Sequence, residues 1–157
     1  MSVKPIPNGY HTVTPYFTVR NAAAALDFYR TAFGATEVMR FDMPDGGVAH
    51  AEIQIGNSRV MLGDECPVMG NKSPQTLGGT AGGLCVYVED CDAVFEKALA
   101  AGATVMKPMA DQFYGDRNGT VIDPFGHAWT MPASRWAPIL YSTDPAAAAS
   151  TINTQSR

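Results

Sequence analysis

Along the chain, apolar positions switch between two periods. Phe17 and Val19 alternate with smaller or polar neighbours, as do Val86 and Val88, which predicts two strands with one buried face each. Each is followed by a helical stripe: Ala22, Leu26, Tyr29 and Phe33 in the first, Val94, Phe95, Ala98 and Leu99 in the second. Asn21 and Asp90 (or Asp92) are placed to accept from the free N–H groups that open these helices, and Gly34 and Gly102 to end them in a left-handed conformation. Asn21 and Asp90 stand 69 positions apart, and the triplets Gly34-Ala-Thr36 and Gly102-Ala-Thr104 stand 68 apart, so the chain contains an internal repeat.

Strands follow each helix. Val38–Phe41 leads to a hairpin at Pro44-Asp-Gly-Gly47, and Val48–Ile55 alternates. That alternation sets Ala49, Ala51, Ile53 and Ile55 on one face and His50, Glu52 and Gln54 on the other. Gly56-Asn57 turns the chain into 59–62. The second half repeats the order with Val105-Met106, a longer loop, 119–122, the turn Asp123-Pro-Phe-Gly126 and 128–131. Each half therefore reads as β-α-β-β-β. The predicted organisation is an N-terminal arm (1–11), a first module (12–64), a mobile loop or linker (65–80), a second module (81–131) and a C-terminal tail (132–157). In the tail, Trp136, Ile139, Leu140 and Tyr141 are apolar enough to pack on the body or on a partner, and Asp144-Pro opens a helix-like start.

Composition narrows the function. The 157 residues are 46% hydrophobic, enough for one globular core, and the net charge of −4 offers no footprint for nucleic acid. No apolar run reaches the about 20 residues that span a bilayer, and the N-terminus has no signal-peptide pattern. Cys66, Cys85 and Cys91 lack the spacing of a zinc knuckle or disulfide framework. A soluble, cytoplasmic protein is expected.

Paired βαβββ modules together with Ser73-Pro-Gln-Thr-Leu-Gly-Gly-Thr80, Tyr114-Gly-Asp-Arg117 and Asp123-Pro-Phe-Gly-His-Ala-Trp129 resemble the vicinal oxygen chelate superfamily, within it the PhnB-like branch. The superfamily includes glyoxalase I, extradiol dioxygenases and bleomycin-resistance proteins. The resemblance implies an α+β fold whose two modules form an open, incompletely closed barrel, a homodimer, and a small-molecule ligand in the concave cavity. Metal-dependent members carry a ligand on the first strand and another on the last strand of each module. Here those positions fall on Thr14, Gly83, Met61 and Thr130. A divalent ion needs imidazole, carboxylate or thiolate donors at about 2.0–2.2 Å, so the expectation is no metal and no other cofactor.

Further candidates come from the residues themselves. His50 and Glu52 share a strand face and would form a facial triad with His127 if the three converged. Otherwise they are solvated or hydrogen-bonded side chains. Tyr16 and Tyr114 are candidates to stack on a planar ligand, whereas Trp129 reads by parity as core. Arg117, in a glycine-flanked bend, either clamps a ligand carboxylate or phosphate or pairs with Asp111, Asp116 or Asp123. The expected ligand-binding set is Thr14, Tyr16, His50, Glu52, Met61, Tyr114, Arg117 and Thr130, with no catalytic residue assigned. The leading reading is a metal-independent small-molecule binding protein. The alternative is a lyase or isomerase using a different metal site or His50 and Glu52 as acid and base.

Overall fold

A computed structural model describes residues 5–134. The expectations for the tail beyond Ser134, including Trp136, Ile139, Leu140, Tyr141 and Asp144, lie outside the described residues. In chain order the elements are β1 (Tyr16–Val19), α1 (Ala22–Phe33), β2 (Thr36–Asp42), β3 (Val48–Ile55), β4 (Ser58–Asp64), α2 (Pro74–Leu77), β5 (Gly83–Cys85), α3 (Cys91–Ala100), β6 (Thr104–Asp111), β7 (Asp116–Ile122) and β8 (Ala128–Ser134). They build two separate four-stranded mixed sheets, β1-β4-β3-β2 and β5-β8-β7-β6. In each, the first strand pairs parallel with the last, and the remaining pairs are antiparallel. The repeat is exact in register: Tyr16 lies opposite Met61, and Cys85, its counterpart, lies opposite Thr130. The sheets do not close into a barrel, and the fold is α+β as expected.

The helix signals act as read. Asn21 Oδ1 accepts from Ala24 N at 3.0 Å, and Asp90 Oδ1 from Ala93 N at 2.9 Å, so Asp90 rather than Asp92 is the cap. Parity then sorts each sheet into two faces. Ala51, Ile53, Ile55, Val60, Leu62 and Val19 point to α1; Val121, Trp129 and Met131 belong to the same continuous core beneath α1 and α3. Gly119 sits on the helix face of β7, where a Cβ would lie 2.8 Å from the Phe95 ring, so its missing side chain lets α3 approach the sheet.

Two local expectations are corrected, and the segment between the modules has hydrogen-bonded contacts of its own. Ala49 is exposed and Val48 is buried, because the ladder slips between Phe41 and Asp42 and reverses the parity at the start of β3. The expected loop after Met106 is the rest of β6, an edge strand that accommodates Pro108 within its second register shift, between Lys107 and Ala110. The 65–80 segment, expected as a mobile loop, is organised around Glu65. That carboxylate accepts from Ser73 N at 2.9 Å, Thr76 Oγ1 at 2.6 Å and Arg20 Nε at 3.1 Å. Ser73, fully buried, caps α2, and Pro74 and Gln75 rest on the Asp-Pro-Phe-Gly turn through Gly126, at φ 93°, and a Gln75 Nε2–Pro124 O bond of 2.9 Å.

Between the modules lies an aromatic cluster of Phe17, Phe28, Tyr29 and Phe33 from the first and Phe125 and Trp129 from the second. At its centre the buried Asp123 carboxylate accepts four hydrogen bonds. Tyr29 Oη gives one at 2.8 Å; Trp129 Nε1, Phe125 N and His127 N each give one at 2.9 Å. Burial pushes the Asp123 carboxyl up, but the bonds from His127 and Trp129 outweigh it and hold the group below its ordinary value. Asp64 does the lesser analogue in the first module, accepting from Ala22 N at 2.8 Å and Val48 N at 2.7 Å.

Two outcomes follow. An Asp123→Asn substitution replaces an acceptor with an amide donor facing Tyr29 and Trp129, and urea unfolding is expected to show a loss of about 3 kcal/mol. The hydrogen bonds from Thr76 and Ser73 lower the Glu65 carboxyl from an ordinary 4.5 to about 2. Because the folded value lies below the unfolded one, this group stabilises the protein fully above the ordinary carboxylate range. That contribution is lost as pH falls toward 2. The stability gap between wild type and Glu65→Gln should therefore be constant near neutral pH, shrink below 4.5 and close near 2.

Candidate functional site

Opposite the helices, the open face of the first sheet carries a polar group set among aromatics. Because Glu52 lies opposite both Met61 and Met39, and His50 opposite Phe41, these side chains share that face with Tyr16. Tyr16 Oη is 3.3 Å from His50 Nδ1, and His50 Nε2 is 3.2 Å from Glu52 Oε1. An ionised Glu52 only accepts, so Nε2 carries the proton toward it and Nδ1 is left to accept from Tyr16. The result is a directed chain from Tyr16 through His50 to Glu52. The His50 ring lies between those of Tyr16 and Phe41, at 5.6 and 6.4 Å.

The N-terminal arm crosses this face. Tyr10 Oη donates a short hydrogen bond to Glu52 Oε2, and this bond raises the tyrosine pKa, since ionisation would set two anions together. Glu52 is thus 3% exposed despite lying on the open side of the sheet. Under the arm is a cavity of about 440 Å³ bordered by Ile6, Tyr10, Thr12, Thr14, Glu52 and Met61. Beside it, Arg59 stacks its guanidinium on the Tyr10 ring at 5.4 Å.

The structure brings Tyr16, His50, Glu52 and Met61 together, with Thr14 at the edge. The other three expected residues lie elsewhere. Thr130 is on the open face of the second sheet, its Oγ1 2.9 Å from Thr120 Oγ1. Tyr114 sits in the β6–β7 hairpin and accepts from Asn118 Nδ2 at 2.9 Å. Arg117 shares parity with Gly119 and so faces α3. There Nε and Nη2 bind the two Asp92 oxygens at 2.7 Å each, and Nη1 reaches Asp111 at 3.2 Å. Of the alternatives for Arg117 the structure has the ion pair, with Asp92 as its main partner.

His127 does not join His50 and Glu52. It stacks on Phe17 at 4.1 Å, with Nδ1 3.7 Å from Asp123 Oδ2, while His50 contacts Tyr16, the preceding residue of β1 and on the opposite face. Among the described residues there is no group of three or more His, Cys, Asp or Glu side chains that could hold a metal ion. Register also bears on the positions where the resemblance places metal ligands, since Met61 and Thr130 occupy equivalent places on β4 and β8. A thioether and a hydroxyl there do not fit a divalent centre.

Tyr10 and Arg59 were missed from the sequence. Arg59 was within reach, because it stands two residues before Met61 on one strand and shares its face. Tyr10 belongs to an arm with no periodicity, and no local signal directs it to Glu52.

Comparison with known proteins agrees with this architecture. The family model for the Glyoxalase/Bleomycin resistance protein/Dioxygenase superfamily matches residues 10–131. An uncharacterised protein of Mycobacterium bovis is 48% identical over 122 residues, covering 76% of this chain and 80% of the relative. Among solved structures, TioX from Micromonospora is 26% identical with a TM-score of 0.60, covering 78% of this chain and 98% of its own. The PhnB protein of Bacillus cereus has the same fold, at 20% identity, a TM-score of 0.63 and coverage of 79% and 100%. The chain belongs to the Glyoxalase/Bleomycin resistance protein/Dioxygenase superfamily.

Because Arg117 is tied to α3 and away from the His50–Glu52 face, Arg117→Ala should lower the urea midpoint by less than Asp123→Asn does.

Proposed function

We propose that this superfamily member is a small-molecule binding protein of the PhnB-like branch. It holds a partly aromatic or amphipathic ligand against the open face of its first sheet, works without a resident metal ion and acts as a homodimer. The observation that carries the reading is the chain of Tyr16, His50, Glu52 and Tyr10, a hydrogen-bonding strip flanked by Phe41 and Met61. Binding sites commonly combine an apolar wall with a few fixed polar groups. The donor set at Thr14, Met61, Gly83 and Thr130 supports metal independence on chemical grounds. Exposed Phe113, Tyr114 and Tyr87 supply apolar surface for a second subunit. Cys66, Cys85 and Cys91, all unpaired, fit a reducing cytoplasm.

A second reading rests on one contact. His50 Nε2 at 3.2 Å from Glu52 is a general acid–base pair in reach of a ligand lying on Tyr16, as a lyase or isomerase would need.

Elemental analysis of the purified protein is expected to find no stoichiometric divalent metal. One tightly held Ni, Zn, Fe or Mn per subunit would overturn the metal-free reading. In a thermal-shift screen of planar antibiotics and 2-oxo acids, a true ligand at one hundred times its Kd adds about 2.7 kcal/mol of stability, and Glu52→Gln or His50→Ala should abolish the shift. Turnover that these same substitutions eliminate would favour the enzyme.

A further inference from the structure

The seam between the two sheets holds a guanidinium with two buried nitrogens that lack an acceptor among the described residues. Arg59 leaves β4 on the open face and lines a cavity of about 540 Å³ between β4, the chain before β1, and residues 84–88. Its Nε and Nη1 are buried and have no hydrogen-bond partner among the described residues. No acidic residue and no lysine borders the cavity, so Arg59 is its one permanently charged group among the described lining residues. Most of the remaining wall is apolar, with Val13, Leu84, Val86, Val88 and Trp129.

A guanidinium does not lose its proton, so it cannot escape the cost of burial by becoming neutral. The Tyr10 ring, 5.4 Å from the guanidinium carbon, offsets part of the charge, but it is not a hydrogen-bond acceptor of the strength of a carboxylate or carbonyl oxygen. Charged donors left without an acceptor are among the costlier arrangements a folded chain keeps. Glu52, the carboxylate on the same open face of β3, already accepts from Tyr10 and His50. The missing acceptor is therefore expected from outside the chain, and the space beside Arg59 has the volume of a small organic molecule.

We propose that the seam takes an amphipathic organic anion. Its acid group lies on Arg59, where a planar carboxylate or a sulfonate replaces the missing acceptor, and its apolar body lies among Val13, Leu84, Val86 and Val88. Gly9 and Tyr10 cover the guanidinium and are the groups that yield as the acid group enters. This rests on the small-molecule binding reading above and specifies the class of ligand.

The test compares two fluorescent probes with the same ring system, 8-anilinonaphthalene-1-sulfonate and the uncharged N-phenyl-1-naphthylamine, titrated into the full chain. The sulfonate should bind at least about tenfold more tightly, as expected of a charge-assisted pair in a covered site. Arg59→Met should remove that preference while leaving the neutral probe within about twofold, and Arg59→Lys should keep part of it. Val86→Trp, which fills the cavity, should weaken both probes. Circular dichroism and melting check that each variant folds, and Arg59→Lys carries the comparison if Arg59→Met does not. Equal affinity for the two probes would overturn the anion assignment and leave the binding reading standing. Sulfonate binding unaffected by Val86→Trp would place the probe elsewhere and overturn it as well. If neither probe binds and the ligand screen is also empty, both readings fall.

Discussion

The fold turns on one buried carboxylate. Asp123 collects donors from α1, from the β7–β8 turn and from β8, so a single side chain ties the first module's helix to the second module's closing hairpin. A carboxylate with four donors is a stable occupant of an apolar interior, because every lone-pair direction it presents is answered. Its neighbours depend on it in turn. The Tyr29 hydroxyl and the Trp129 indole are both in the core, and each uses Asp123 as its hydrogen-bond partner. The aromatic cluster packs around that knot, and the two sheets keep their relation through side chains on the helix side.

The two modules share a scaffold and differ in what they present. In backbone and register the copies correspond closely, down to the caps Asn21 and Asp90 and the matching pairs Tyr16–Met61 and Cys85–Thr130. On the open side the first sheet has an imidazole, a carboxylate and two phenols in hydrogen-bond contact, while the second offers two threonine hydroxyls bonded to each other. Duplication thus explains the frame and leaves the chemistry asymmetric.

Most of the frame was legible because the signals that specify it are local. Caps, alternation, turn residues and the repeat each act over a few positions, and all pointed to the same arrangement. The errors came where pairing between distant segments decides the outcome. Nothing near Pro108 says that it will join an edge strand, and Glu65 organises the linker through Ser73 and Thr76, which approach only after the chain has turned. The site divides in the same way. Strand parity located His50 and Glu52 correctly relative to each other, but Arg117 stayed open between a ligand clamp and an ion pair because its main partner, Asp92, lies on a helix 25 residues away. His127 illustrates a further limit. Its place beside Phe17 depends on how the modules meet, which no pattern within one module contains.

The separation of the two sheets has a mechanical meaning. β1 and β5 end their ladders facing each other without joining them, so the width between the modules is set by side chains such as Phe33, Val86 and Trp129. Because side chains and not ladder hydrogen bonds set that width, a different width would need only altered packing, with both ladders intact. Changes in a handful of apolar residues then alter the bore of the gap without endangering either half of the fold, which gives a duplicated scaffold room to change guests over evolutionary time.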